Sequence, residues 1–185
     1  MRAYFLLVLI GVMGWSNSLM SQKMFTKQGE VSFISEIGVE TIDAVNNQAN
    51  SVLDMATGNV QWAVLIKAFR FEKALMEEHF NENYMESSKH PKATFKGTIK
   101  NFDAFDSKST APQTFTVEGD LTIHGVTQPV EVQITLTVSG DKLIGESAFS
   151  IKLADYDIDI PQVVVENIAE QVNITVKANY EELKK

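Results

Sequence analysis

Three histidines, His79, His90 and His124, are the residues of this chain best suited to binding a metal or transferring a proton near neutral pH. They lie far apart in the sequence, and no pair has the His-x-His or His-Glu-x-x-His spacing that places two imidazoles on one metal ion. Folding brings distant residues together, but three separate surface or half-buried imidazoles are the simpler interpretation. We therefore predict no metal site and expect no cofactor.

Residues 155–159 alternate acidic and apolar side chains, as the start of a calcium-binding loop does, and Glu166 stands at the twelfth position of such a loop. That loop needs glycine at its sixth position for a sharp turn. This chain has Ile160 there, and Pro161 follows at once. We interpret the segment as an edge strand with one acidic face rather than as a calcium site.

Covalent and nucleotide chemistry find no support in the sequence. The chain has no cysteine, which excludes disulfides, cysteine nucleophiles and cysteine-ligated metals. Residues 145–149 begin like a Gly-x-Ser-x-Gly nucleophile elbow but end in phenylalanine. Neither a P-loop nor a dinucleotide-binding glycine pattern is present. We predict no catalytic residues and no enzymatic activity.

The charge of the chain is acidic. Lysine and arginine number 16 against 24 aspartates and glutamates, a formal net charge of −8. A binder of nucleic acids needs a basic surface, so we expect no nucleic-acid partner. Arg70 is the only arginine beyond residue 2 and stands between Phe69 and Phe71. Two roles stay open for it, contact with an anionic ligand head group or a surface ion pair, and we favour the ion pair.

Period-two alternation of apolar and polar residues is the dominant pattern, which predicts strands with one buried face. It is clearest in residues 114–123, 130–138, 147–153 and 172–180. Weaker candidates, which bring the total to eight or nine, are residues 30–35, 40–45, 49–54, 60–66 and 94–102. Gly119 interrupts the apolar phase of its strand, which indicates a bend or a close approach of backbone.

One segment, residues 71–85, has apolar side chains at helical spacing and predicts a short helix between the early and late strands. The chain is therefore mainly β. About 160 residues of antiparallel strands with tight turns predict a closed barrel or a sandwich, and the pattern alone does not separate the two. A small eight-stranded barrel either fills with side chains or holds one small ligand.

The first 21 residues have the layout of a secretory signal peptide. Arg2 precedes a thirteen-residue apolar run, Ala3 to Trp15, and small or polar residues follow. An uncleaved anchor is the alternative, but the run is short for a membrane span. We expect cleavage after Ser21 and one domain over residues 22–185. The mature chain is then periplasmic or secreted, with no lipoprotein cysteine and no stable membrane span.

Three segments together carry a resemblance to a known family: residues 69–97, 119–130 and 149–161. In order and spacing they resemble the YceI family of secreted bacterial proteins, over about residues 29–180. The resemblance implies an eight-stranded, antiparallel, lipocalin-like barrel. It also implies a long apolar ligand in the lumen, such as a polyisoprenoid, a fatty acid or a fatty amide, and no established catalytic mechanism.

The apolar phase of the strands and the large side chains near the helix are the candidates for lining such a tunnel. They are Trp62, Val64, Phe69, Phe80, Phe95, Val117, Leu121, Ile134, Leu136, Phe149, Ile151, Ile174 and Val176. Each of them also suits a plain hydrophobic core. An enzyme acting on a lipidic substrate and a solid, stress-related structural barrel stay open as alternatives to the carrier, and so does a homodimer.

Overall fold

The computed structural model describes residues 23–37, 40–160 and 170–182 of the chain. The predicted signal peptide lies outside them. The described residues form antiparallel strands joined mostly by short turns. The strands are β1 (Lys23–Ile37), β2 (Glu40–Asp54), β3 (Asn59–Leu65), β4 (Arg70–Phe71), β5 (Lys92–Ile99), β6 (Gln113–Ile123), β7 (Val126–Ser139), β8 (Lys142–Lys152) and β9 (Gln171–Glu182).

Eight of these strands close into a barrel. The neighbours around it are β1, β9, β8, β7, β6, β5, β3 and β2, and β2 pairs with β1 to complete the circle. The two-residue β4 lies beside β2. The predicted eight-stranded antiparallel barrel with one short helix is therefore confirmed, and the sandwich alternative is wrong.

The early strands are longer than the sequence pattern indicates. Residues 40–45 and 49–54 belong to one continuous strand, β2, because the polar Asn46 between them is accommodated inside the protein. Its Nδ2 donates a hydrogen bond to the Leu65 carbonyl at 2.8 Å, and its Oδ1 accepts one from the Gln48 amide at 2.8 Å. A buried amide with both ends paired does not interrupt a strand.

The helical segment is shorter than predicted. Helix α1 (Ala74–His79) is followed by a π-helical turn at Phe80–Tyr84, so the predicted helix over 71–85 is right in place and kind but not in length.

The prediction of an edge strand at 155–159 is wrong. Leu153–Tyr156 form a 3₁₀ turn, although Tyr156 and Ile158 are buried as the alternation indicates.

Gly119 marks a close approach of two strands, as predicted. It lies opposite Gly97 of β5, and the Phe95 ring covers both glycines. A Cβ at Gly119 would lie 2.4 Å from the Lys96 carbonyl oxygen and 2.8 Å from the Phe95 ring. Only glycine leaves room for this arrangement, which turns the Phe95 ring flat against the inner wall of the barrel.

Candidate functional site

A cavity of about 370 Å³ occupies the barrel interior. Its volume lies in the range of small-molecule sites, and its wall is almost entirely apolar. All of the predicted tunnel residues except Leu136 line it: Trp62, Val64, Phe69, Phe80, Phe95, Val117, Leu121, Ile134, Phe149, Ile151, Ile174 and Val176. Their contact with a ligand stays a prediction.

Leu136 lies beyond the end of the cavity. It points inward like Ile134, two residues earlier on β7, but it is fully buried among core side chains that include Leu53, Leu143 and Tyr180. This core cluster fills the end of the barrel that carries the turns after β2 and β7. An inward-pointing residue of a strand is therefore predicted to be buried. The position of that residue along the barrel axis decides whether it lines the cavity or packs in the core.

A hydroxyl group marks the closed end of the cavity. Tyr180 lines the cavity and is fully buried, and its hydroxyl lies 2.7 Å from Ser51 Oγ. Ser51 Oγ donates its own proton to the Gln61 carbonyl at 2.9 Å, so the Tyr180 hydroxyl is the donor of the shorter bond. Burial raises the pKa of Tyr180 to about 12, and a hydrogen bond with Trp62 offsets part of that shift.

Four phenylalanines form a ring cluster at the other end, beneath the helical segment. Phe33 of β1, Phe69, Phe71 of β4 and Phe80 lie with their ring centroids 5.0–5.9 Å apart wherever two of them are in contact. All four line the cavity. Phe80 contacts the other three, so it anchors the π-helical turn to the barrel rim. His79 beside it lines the cavity and is exposed, so the cavity reaches solvent on this side.

Arg70 makes the surface ion pair that the sequence favoured. Its Nη1 lies 2.9 Å from Glu77 Oε1 of α1 and also donates to the carbonyls of Lys67 and Phe69. The arginine side chain is 62% exposed, so the pair is well hydrated. Arg70 lies outside the cavity wall, while Phe69 and Phe71 on either side of it belong to that wall. Contact between Arg70 and a ligand head group stays a prediction.

Several wall residues were missed by the sequence prediction. They are Val31, Phe33, Val60, Ile66, Phe71, Met76, Tyr84 and Tyr180, among others. Val31 and Phe33 share the inward phase of β1, and Tyr180 shares that of Ile174 and Val176 on β9. The alternation that identified their neighbours was thus sufficient to find these three. Met76 and Tyr84 depend on how the helical segment sits on the barrel, which the sequence pattern does not reveal.

The barrel wall is incomplete between β7 and β8. Within the described residues their backbone pairing extends from Ser139 and Lys142 only as far as Thr135 and Glu146. Beyond that point β7 stays paired with β6 and β8 with β9. We call this gap the β7–β8 seam. A surface hollow of about 310 Å³ lies over it, and Val130 and Ile151 line both the hollow and the central cavity.

The three histidines do not remain apart as the sequence suggested. His90 and His124 come together with ring centroids 4.7 Å apart, and Glu86 joins them. His79 stays on α1 at the cavity rim. None of the three grouped residues lines the cavity, and we return to this group below.

Within the part of the chain that the structure describes, no helix has the length and apolar character needed to cross a bilayer. No curated protein sequence matches the chain.

Solved structures share the fold at low sequence identity. A polyisoprenoid binding domain from Saccharophagus degradans, implicated in plant cell wall breakdown, superimposes with a TM-score of 0.74 at 14% identity, over 88% of this chain and 98% of that one. Burkholderia cenocepacia BcnA gives 0.67 at 18% identity, over 80% and 94%. The Campylobacter jejuni YceI protein gives 0.64 at 14% identity, over 81% and 90%.

The sequence itself carries the family assignment. The family model of the YceI-like domain matches residues 23–180, which spans the barrel from its first strand to the inward-facing Tyr180 of its last. The resemblance seen in the three sequence segments is thereby confirmed: this chain belongs to the YceI-like domain family.

Proposed function

We propose that this protein is a carrier that holds one long apolar molecule, a polyisoprenoid or a fatty acid or amide, inside its barrel. The observation that supports this most directly is the cavity of about 370 Å³ with an apolar wall. A solid structural barrel would fill that space with side chains, because protein interiors pack as densely as organic crystals. The cavity therefore favours a carrier over the solid barrel.

The driving force for loading is the removal of the ligand chain from water. Burial of about 400 Å² of apolar surface at roughly 25 cal/mol per Å² is worth about 10 kcal/mol before losses of ligand and side-chain freedom are subtracted. The Saccharophagus degradans neighbour is a polyisoprenoid binding domain, which supports an isoprenoid as one ligand class. The fold alone leaves an acyl chain equally suitable.

The two ends of the cavity offer different contacts to a ligand. At the closed end, the apolar core cluster and the hydroxyl of Tyr180 would contact the tail of the ligand. At the rim, the exposed Arg70 lies next to two wall residues, Phe69 and Phe71. We infer that the ligand enters tail first, with its head group at the rim beneath the helical segment.

A binding role is favoured over catalysis by the composition of the wall. Four titratable side chains line the cavity among the described residues: His79, Tyr84, Glu146 and Tyr180. His79 and Glu146 are exposed to solvent, and burial raises the pKa of Tyr84 and Tyr180, which keeps both phenols neutral. A neutral phenol is a weak base and a weak nucleophile, so the two buried phenols do not favour catalysis in the cavity. We further infer a periplasmic or secreted location, on the basis of the apolar run and small residues before residue 22.

Native mass spectrometry of the protein purified from bacterial cells is the direct test, followed by extraction of bound molecules into organic solvent. We expect one added mass per chain that extracts as an isoprenoid or acyl species. If the protein carries no added mass and also fails to take up a polyene fatty acid and geranylgeraniol, the carrier function is wrong.

Two substitutions on β9 locate the binding site. Val176 lines the cavity, whereas the neighbouring Thr175 has almost the same shape and lies on the outward side of the same strand. We expect Val176→Phe to weaken binding of the polyene fatty acid at least tenfold by occupying cavity volume. Thr175→Phe should leave it unchanged. Equal effects of the two substitutions would place the ligand elsewhere.

A further inference from the structure

Glu86, His90 and His124 form a compact group outside the cavity, which we call the Glu-His-His cluster. One ligand atom from each residue lies within 4.8 Å of the other two. The residues come from two regions: Glu86 and His90 lie between the π-helical turn and β5, and His124 lies in the turn between β6 and β7. The cluster thus connects the helical segment to the barrel rim.

His124 presents a free ring nitrogen to this cluster. Its Nδ1 lies 3.2 Å from the Tyr156 carbonyl oxygen, an acceptor only, so Nδ1 carries the hydrogen and donates it. In the neutral ring Nε2 then keeps its lone pair. Within the described residues, Nε2 is buried and has no hydrogen-bond partner. A carbonyl that fixes one ring nitrogen while the other points at an ion is the usual arrangement of a metal-binding histidine.

A polar atom close to that nitrogen is a second potential ligand. Glu86 Oε2 lies 3.4 Å from His124 Nε2. Two lone pairs facing each other repel unless a proton or a cation lies between them. Ligands bound at about 2.0–2.1 Å to one tetrahedral zinc ion lie about 3.3–3.4 Å apart. The observed separation matches this value, and it is long for a charge-assisted hydrogen bond.

The surroundings hold the other groups in place. The second carboxylate oxygen of Glu86 is paired with Lys89, which leaves Oε2 directed at His124. The His90 ring packs on Gly125, where a Cβ would lie 2.7 Å from its Cε1. Gly125 is therefore required for the ring to reach the cluster. The ligand atoms of the cluster lie at most 4.8 Å apart. To reach the spacing of about 3.3–3.4 Å around a tetrahedral zinc ion, the most distant pair must approach by about 1.5 Å.

From this geometry we propose that the Glu-His-His cluster is a binding site for a divalent transition metal of the zinc class. Two imidazoles and one carboxylate are ligands typical of zinc and its first-row neighbours, whereas calcium and magnesium prefer oxygen alone. Three protein ligands leave a fourth position for water. A bound ion would clamp the segment after the π-helical turn to the β6–β7 turn, and this proposal does not depend on the nature of the cavity ligand.

Calorimetric titration of the chelator-treated protein with zinc chloride tests the proposal, on protein prepared without a polyhistidine tag. We expect one zinc per chain with micromolar or tighter affinity. Titration with cobalt chloride should give the intense visible absorption of tetrahedral Co²⁺. The thermal midpoint of unfolding should rise with zinc concentration, because the ion binds only the folded cluster.

Substitutions test which side chains bind the zinc ion. Glu86→Gln, His90→Phe and His124→Asn should each weaken zinc binding at least tenfold. Phenylalanine preserves the ring packing on Gly125, and asparagine tolerates the positive φ of 51° at residue 124. His79→Ala removes a histidine outside the cluster and should leave the affinity unchanged. The absence of stoichiometric zinc binding by the wild-type protein, or an equal loss in His79→Ala, would overturn the proposal.

Discussion

The hydroxyl of Tyr180 couples the stability of the barrel to alkaline pH. Its pKa is about 12 in the folded protein and near 10.0 in an unfolded chain. Because the folded pKa is the higher one, the contribution of this group is complete below pH 10 and is lost as the pH rises from 10 to 12. A shift of this size corresponds to roughly 3 kcal/mol of unfolding free energy.

Comparison of the wild type with Tyr180→Phe isolates this effect, because phenylalanine does not titrate. Burial also raises the pKa of Tyr84 and Tyr156, but those groups are present in both proteins. At neutral pH we expect the variant to be less stable by about 1 kcal/mol, for the lost hydrogen bond to Ser51. Denaturant unfolding from pH 8 to pH 12 should show the difference shrinking and reversing. A difference that is constant with pH would contradict the assigned pKa.

The charge of Arg70 distinguishes between ligand head groups. Its ion pair with Glu77 is exposed and worth less than about 1 kcal/mol, so it does not prevent the guanidinium from meeting an anion. We expect Arg70→Gln to weaken binding of a fatty acid several-fold and to leave the fatty alcohol of equal length unaffected. Lys100→Gln removes the same charge at the closed end and is the control. Equal losses for acid and alcohol would show that Arg70 acts through the structure of the rim.

At the scale of elements, Phe80 is the side chain that attaches the helical segment to the phenylalanine cluster at the rim. Phe80 contacts Phe33, Phe69 and Phe71, and aromatic pairs are each worth about 0.5–1.5 kcal/mol beyond their buried area. We expect Phe80→Ala to accelerate release of a polyene fatty acid about tenfold, measured by stopped-flow fluorescence. Leu75→Ala on the same segment alters a side chain that is 61% exposed and should not change the rate. Equal rates in Phe80→Ala and the wild type would mean that the ligand leaves by another route.

The β7–β8 seam is the alternative route, and its unpaired backbone is measurable. Residues 143–152 of β8 all pair with β9, whereas only residues 142–146 also pair with β7. We expect about half of the amides in residues 147–152 to exchange with deuterium much faster than those in residues 142–146. Equal protection of the two halves would indicate that the seam is closed in solution.

The elements also show how far the sequence alone leads. Alternation located the late strands β6 to β9 and the wall residues they carry, because one face of each strand is apolar throughout. It divided β2 at Asn46, since a buried, fully paired amide has the same appearance in a sequence as a loop residue. The alternation also did not predict the contact between Glu86 and His124. That contact depends on where the helical segment meets a turn about 40 residues further along the chain.

At the scale of the whole molecule, an empty cavity is a deficit in packing that a ligand corrects. At a free ligand concentration a hundred times the dissociation constant, binding stabilises the folded state by about 2.7 kcal/mol. For a domain of this size we expect the thermal midpoint to fall by about 5–10 °C when bound lipid is extracted. Scanning calorimetry measures this change in the thermal midpoint before extraction, after extraction and after reloading with geranylgeraniol. An unchanged midpoint would show that the wall collapses onto the space or that no lipid was bound.

Barrel closure joins the two ends of the described chain, since β1 pairs with β9 through contacts such as Phe33 with Ile174. These partners are more than 140 positions apart, and contacts of such long range make folding slow. A chain emerging from the ribosome has no partner for that edge of β1 until residues 171–182 have been synthesised. The barrel therefore cannot close before the last strand has been synthesised, and until then this edge of β1 is exposed to pairing with other chains.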